Sequence, residues 1–185
     1  MKKYAITGGP HSGKTSVLNM LSERGFTVLH ETARLIIQED QERKKKVHSY
    51  VVIYPWEDQN RFCRLCYQRQ LVREKDLEGE IIFLDRSLVD NIAYAEVAGV
   101  DLGKTIYKDI KDANYEKKVF YFELIKGYKK DDQRKDNIKQ TLAVHNKLRE
   151  VYERLGYNVI SVPFFNGKED VGIKKRMNLI LNHIE

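Results

Sequence analysis

Gly8-Gly9-Pro10-His11-Ser12-Gly13-Lys14-Thr15 sets a glycine, four residues and Gly-Lys-Thr between the strand-like run Lys3-Tyr4-Ala5-Ile6-Thr7 and a helical run from Thr15 to Arg24. Strand, glycine-rich turn and helix in that order commit this part of the chain to one geometry, a βα unit whose turn presents backbone N–H groups to an anion. The glycines permit φ > 0, which lets several amides converge on one phosphate chain. The helix start adds the positive end of its dipole. Gly9, Pro10, His11, Ser12, Gly13, Lys14, Thr15 and Ser16 are therefore the candidate phosphate-binding residues, with Lys14 reaching the outer phosphates and Thr15 ligating Mg²⁺. The motif specifies a nucleotide phosphate and leaves the reaction open.

The rest of the chain alternates strand and helix. Phe26 to His30 is the second strand candidate, and Glu31 follows at its carboxyl end, where open α/β sheets collect ligands. Thr32 is placed to cap a helix through Ile37, and the charged stretch Gln38 to Lys46 reads as a solvated helix surface or loop. Val51 to Tyr54 reads as an apolar connection, and Pro55-Trp56-Glu57-Asp58 as the start of the next helix, which Gly79 ends. Ile81-Ile82-Phe83-Leu84-Asp85 is a buried strand closed by a carboxylate, with Arg86 and Ser87 directly after it. Helices over Leu88–Ala98 and Leu102–Ala113, a strand over Lys118–Leu124, a helix over Ile138–Leu155, a strand over Asn158–Val162 and a terminal helix complete the chain. Residues 126–137 are densely charged without core positions and are expected to form a mobile surface loop. Such an alternation implies an α/β fold, a parallel sheet with helices on both faces in three layers, because right-handed crossovers place them there. Residues 1–185 are expected to form one domain.

Composition narrows the ligand only so far. A net charge of +6 suits an anionic ligand, and no apolar run approaches the roughly 20 residues that a membrane span needs. The strand begins almost at Met1, so no leader is expected and the location expected is cytoplasmic. Cys63 and Cys66 lack a second pair or an adjacent His, and read as two reduced thiols on a helix.

Phosphoryl transfer needs charge neutralisation, a metal and an acceptor held in line. Asp85 ends its strand as a Walker B acid does and is, with Thr15, the candidate metal ligand. Arg86 follows it where many hydrolysing enzymes carry a second acid, which favours transfer to a bound acceptor over hydrolysis. Glu31 is the candidate to take the acceptor's hydroxyl proton, an ion pair with Arg34 being the plainer alternative. Arg34 and Arg86 can clamp an anionic group on the acceptor, and Arg134 in the charged loop can swing over the phosphates. Tyr54 and Trp56 either line the acceptor pocket or belong to the core. Phe164, Phe165 and Asn166 follow the last strand and stand where a base can be met, with packing the plainer role for the two aromatics.

Taken in order, Ile6-Thr7-Gly8-Gly9-Pro10 through Thr15, Glu31-Thr32-Ala33-Arg34, Phe83-Leu84-Asp85-Arg86-Ser87 through Tyr94, Asp132-Gln133-Arg134 and Val151 to Pro163 resemble the nucleoside and nucleotide kinases of the P-loop group. More narrowly they are similar to the AAA-like family that includes the nicotinamide riboside kinase domain. The resemblance implies the P-loop NTPase fold with strand order 2-3-1-4-5, a short lid over about 126–137, MgATP as donor, Arg134 at the phosphates, and Phe164 to Asn166 near the adenine. ATP and Mg²⁺ are the expected cofactors. The expected partner is a small phosphoryl acceptor: a nucleoside, a nucleotide or a phosphorylated alcohol such as a mevalonate phosphate, with the abundant Arg and Lys leaning towards an anionic one. No nucleic-acid partner is expected, and a homodimer is one assembly compatible with the chain. The competing reading is a non-catalytic ATP- or GTP-binding switch or lipid-binding module, although Asn146-Lys147-Leu148-Arg149 lacks the Asp of a guanine-reading motif.

Overall fold

The computed structural model describes residues 1–52, 54, 56–124, 138–165 and 169–184. Five strands, β1 (Lys2–Thr7), β2 (Thr27–Leu29), β3 (Ile81–Asp85), β4 (Lys118–Phe122) and β5 (Asn158–Val162), pair in parallel in the order β2-β3-β1-β4-β5. The helices are α1 (Lys14–Glu23), α2 (Thr32–Lys46), α3 (Gln59–Lys75), α4 (Leu88–Ala98), α5 (Thr105–Ala113), α6 (Ile138–Arg154) and α7 (Glu169–Ile184). The expected sheet order and the helices on both faces are both present.

Side-chain alternation along the strands divides the core in two. Tyr4, Ile6, Phe83, Phe120, Phe122 and Val162 point to one face and pack on Val17, Leu18 and Leu21 of α1 and Met177 and Ile180 of α7. Ala5, Ile82, Leu84, Val119 and Tyr121 point to the other and meet α4, α5 and α6 through residues such as Val89, Ile106 and Leu148. Strands covered on both faces need apolar side chains at every position, which is why β3 and β4 read as unbroken apolar runs. Each large side chain taken fully out of water there contributes about 1.5–3 kcal/mol.

Several boundaries differ from the expected ones, each for a local reason. The second helix does not stop at Ile37 but runs to Lys46, because Thr32, Ile36 and Asp40 recur on one buried face and Tyr50 donates to Asp40 Oδ1 at 2.8 Å. Thr32 is not its cap: Glu31 occupies the N-cap position, and Thr32 Oγ1 instead donates to Gln70 Oε1 and accepts from Arg73. α3 starts at Gln59 rather than Pro55, since Asp58 accepts the Arg61 N–H at 2.9 Å as its cap. α5 starts at Thr105 rather than Leu102, because Asp101 accepts the Gly103 N–H at 2.7 Å in a turn of its own. The expected lid at 126–137 lies outside the described residues.

Parallel pairing gathers the carboxyl ends of the strands. Ile6 stands beside Asp85 in the register of β1 and β3, so the loop after β1 and the residues after β3 leave the sheet side by side. The residues after β2, β4 and β5 join them at that edge.

Candidate active site

The phosphate loop is pressed against β4. A Cβ on Gly8 would stand 2.5 Å from the Phe122 carbonyl oxygen, and Gly8 has φ of 131°, so no other residue fits there. Gly13 takes the left-handed region at φ 79° as the N-cap of α1 and turns the chain into the helix. Lys14 Nζ folds back on its own loop, donating to Gly8 O and Gly9 O at 3.1 Å each and to Ser12 Oγ at 3.3 Å. Burial and the neighbouring Arg86 lower its pKa to about 8, against the pull of Asp85, Glu31 and Asp90. Thr15 and Ser16 are exposed at the start of α1, where the helix amides begin.

Arg86 organises the floor beside the loop. Its guanidinium donates to Gly8 O at 3.1 Å through Nη1, to Glu31 Oε1 at 3.3 Å through Nε, and to Asp90 Oδ1 at 3.5 Å through Nη1. One side chain thus ties the β2 end to the phosphate loop and to α4. Burial works against its charge, but Tyr94, Glu31, Asp90 and Asp85 outweigh that and keep it protonated. Its Nη2 is buried with no protein partner, and so is Oδ1 of Asp85, which is only 2% exposed. Burial raises the Asp85 pKa, with Lys14 opposing. The structure therefore brings Lys14, Glu31, Asp85 and Arg86 together.

Mg²⁺ fits this edge. It binds through one or two carboxylates plus substrate phosphates rather than in an all-protein cage. The unpartnered Asp85 Oδ1 and the exposed Thr15 hydroxyl are the oxygen donors available. Among the described residues, no group of three or more His, Cys, Asp or Glu forms a metal site by itself.

Arg34 is exposed on α2, and the ion pair of Glu31 is made with Arg86. Tyr54 and Trp56 stack on each other at 4.6 Å in the α2–α3 connection, with Trp56 48% exposed, so Trp56 does not belong to the core. Arg134 and Asn166 lie outside the described residues. Phe164 packs over the Arg176 guanidinium at 5.4 Å, and Phe165 lies by Lys175. Cys63 and Cys66 are free thiols on α3, as expected.

Several residues at the site carried no motif. Asp90, 1% exposed, accepts from Thr7 Oγ1 (2.6 Å), Ser87 N (2.9 Å) and Tyr152 Oη (2.5 Å) besides Arg86, which satisfies an ionised carboxylate in full. Asp90 lies in the stretch through Tyr94 that carries the family resemblance, and its own local signal is the Ser-x-x-Asp spacing from Ser87, a capping box for α4. Gln70 donates to Glu74 and to the Arg86 carbonyl, holding α3 against the same turn. Arg176 donates to Pro163 O, Ser12 O and Glu123 O at 2.8, 2.5 and 3.4 Å, joining three strand-end loops. Its partners are backbone carbonyls, which leave no mark in a sequence.

A family model described as an AAA domain matches residues 3–170. Among solved structures, deoxyadenosine kinase from M. mycoides, with products dCMP and a flexible dCDP bound, superposes with a TM-score of 0.62 at 17% identity over 98% of this chain and 97% of its own. Thymidylate kinase from Ehrlichia chaffeensis gives 0.66 at 12% identity over 100% and 98%. NadR protein in complex with NR gives 0.71 at 17% identity over 99% of this chain and 50% of that one, so this chain corresponds to half of NadR. Likeness at such identities is likeness of fold. No curated protein matches the chain in sequence. With the family model spanning most of its length and the sheet in the same P-loop kinase order, the chain belongs to the AAA domain family.

Proposed function

We propose that the chain is a kinase that moves the γ-phosphate of ATP to a hydroxyl of a small acceptor. The observation that carries this is the bridge made by Arg86: a single guanidinium holds the Glu31 carboxylate at 3.3 Å and the phosphate-loop carbonyl of Gly8 at 3.1 Å. A base is thereby fixed beside the place where a terminal phosphate would lie. The acceptor oxygen forms the new bond to phosphorus, the bond to ADP breaks, and the hydroxyl proton passes to Glu31. Thr15 and Asp85 would hold Mg²⁺, which would supply positive charge to the phosphate oxygens. Lys14 leaves its three loop partners and neutralises the outer phosphates from a position only 6% exposed. Arg134 and Asn166 keep the roles the family resemblance implies, at the phosphates and near the adenine.

Glu31 and Asp90 already answer the charge of Arg86 through Nε and Nη1, which leaves its Nη2 for an incoming anion. An anionic group elsewhere on the acceptor has exposed Arg34, one turn along α2 from Glu31. The relatives whose structures carry nucleosides or nucleotides support a nucleoside-like acceptor, with phosphorylated alcohols as the second class.

The test is an ATP-consumption screen with Mg²⁺ against nucleosides, nucleotides and phosphorylated small alcohols, with product mass measured. One acceptor gaining a phosphate, and no product from Lys14→Ala at unchanged circular dichroism, is the expected result. ATP or GTP bound tightly with no acceptor turned over would return the protein to the binding-module reading.

A further inference from the structure

Besides Arg86 and Arg176, a residue of α6 holds the phosphate loop from outside. His145 Nδ1 accepts the Gly9 N–H at 3.1 Å, across 136 positions of chain. The carbonyl of that same peptide group, Gly8 O, accepts from Lys14 Nζ at 3.1 Å. Imidazole, the peptide joining Gly8 to Gly9, and ammonium therefore form one continuous chain of hydrogen bonds. We propose that His145 is a positioning residue of the phosphate loop: its unprotonated Nδ1 takes up the Gly9 amide and sets the carbonyl that holds Lys14 in readiness for a phosphate.

The ring has little freedom to do anything else. It lies 4.6 Å from the Tyr121 ring at 32°, and Tyr121 Oη donates to the His145 carbonyl at 2.9 Å. The Arg149 guanidinium lies 4.4 Å over Tyr121. Space is equally fixed on the other side, where a Cβ on Gly9 would stand 2.9 Å from Leu124 Cδ2, 3.2 Å from His145 Cβ and 3.3 Å from Nδ1. Leu124 and His145 together crowd residue 9, and the amide that α6 captures is withdrawn from the donors offered to an anion.

The protonation state follows from the contact. An Nδ1 that accepts an N–H has no proton of its own, so the neutral ring carries its proton on Nε2. The charged groups that bear on the ring, Arg149 of α6 and Lys14 of α1, are both cationic, and Tyr121 of β4 is neutral. Burial and these two cations push the His145 pKa down to about 4, so the acceptor is present throughout the neutral range.

The inference rests on the nucleotide reading only for its affinity readout. On the full, unliganded chain, ¹⁵N spectra of the His rings are expected to show His145 with Nδ1 bare and Nε2 protonated, and without titration above pH ~5, whereas an ordinary His titrates near pH ~6.5. Titration of His145 near the ordinary value, or a proton on Nδ1, overturns the proposal. In the second measurement, His145→Leu keeps bulk but removes the acceptor, and His145→Asn places its side-chain oxygen where Nδ1 was. ATP affinity is expected to fall roughly fivefold to tenfold in His145→Leu and to stay within about threefold in His145→Asn. Equal affinity in wild type and His145→Leu, or equal loss in both variants, overturns it. A wild type that binds no ATP would sink the nucleotide reading alone, and the ring spectrum would still decide the assignment.

Discussion

Arg86 adopts φ of 76°, a left-handed conformation that an L-residue with a long side chain seldom takes. Such a backbone costs on the order of 1–3 kcal/mol and persists where surroundings over-determine it. Here its N–H donates to Ile6 O at 3.1 Å and its guanidinium holds Gly8, Glu31 and Asp90. The strained turn aims a charged side chain back over the sheet end, which an ordinary helix start after Asp85 would not do. Glu31 depends on that aim. Glu31→Gln retains shape but cannot take a proton, so turnover is expected to fall about 10²- to 10⁴-fold while ATP affinity stays within a factor of about three. Steady-state turnover alongside equilibrium ATP binding separates the two, and full turnover in the variant would clear Glu31 of the proton role.

The elements around the site are unequally secured. α4 and α6 are sealed to the sheet by the larger of its apolar layers, whereas α2 rests on α3 through a small separate cluster of Ile36, Phe62 and Cys66. Leu148→Ala on α6, a fully buried position, is expected to lower global stability by about 2–5 kcal/mol in urea melts. Ile36→Ala is expected instead to speed amide hydrogen exchange within α2 while leaving α4 and α6 protected. The ends of β3 and β5 were legible in the sequence, β3 because its apolar run stops abruptly at Asp85, whereas β2 and β4, expected to reach His30 and Leu124, end at Leu29 and Phe122. The full reach of α2 was not legible: residues 38–46 look solvated, and the buried face of Asp40 depends on Tyr50 arriving from beyond the helix. Glu31, Asp85 and Arg86 were placed at one edge of the sheet because they lie at the carboxyl ends of strands expected to run parallel. The way Arg86 is spent on two carboxylates was hidden, because the local signal of Asp90, Ser-x-x-Asp, reads as a helix cap and names no partner across the site.

At the scale of the whole molecule, the site is closed by pieces far apart in sequence, and this gives folding a pH dependence. His145 has a folded pKa of about 4 against an ordinary value of 6.5. Between those values the unfolded chain binds a proton that the folded chain refuses, so stability falls as pH drops from 6.5 towards 4 and is unaffected by this group above 6.5. Urea midpoints measured across that range are expected to decline more steeply for wild type than for His145→Asn, which has no ring to protonate; parallel curves would contradict the contact. Arg176 spans further still, binding the Ser12 carbonyl from 164 positions away. On the ribosome the glycine turn emerges 164 positions before the arginine that tethers it. During synthesis that turn is thus made early and finished late, and the nascent chain must carry its anion-binding amides without their final shape until α7 has emerged.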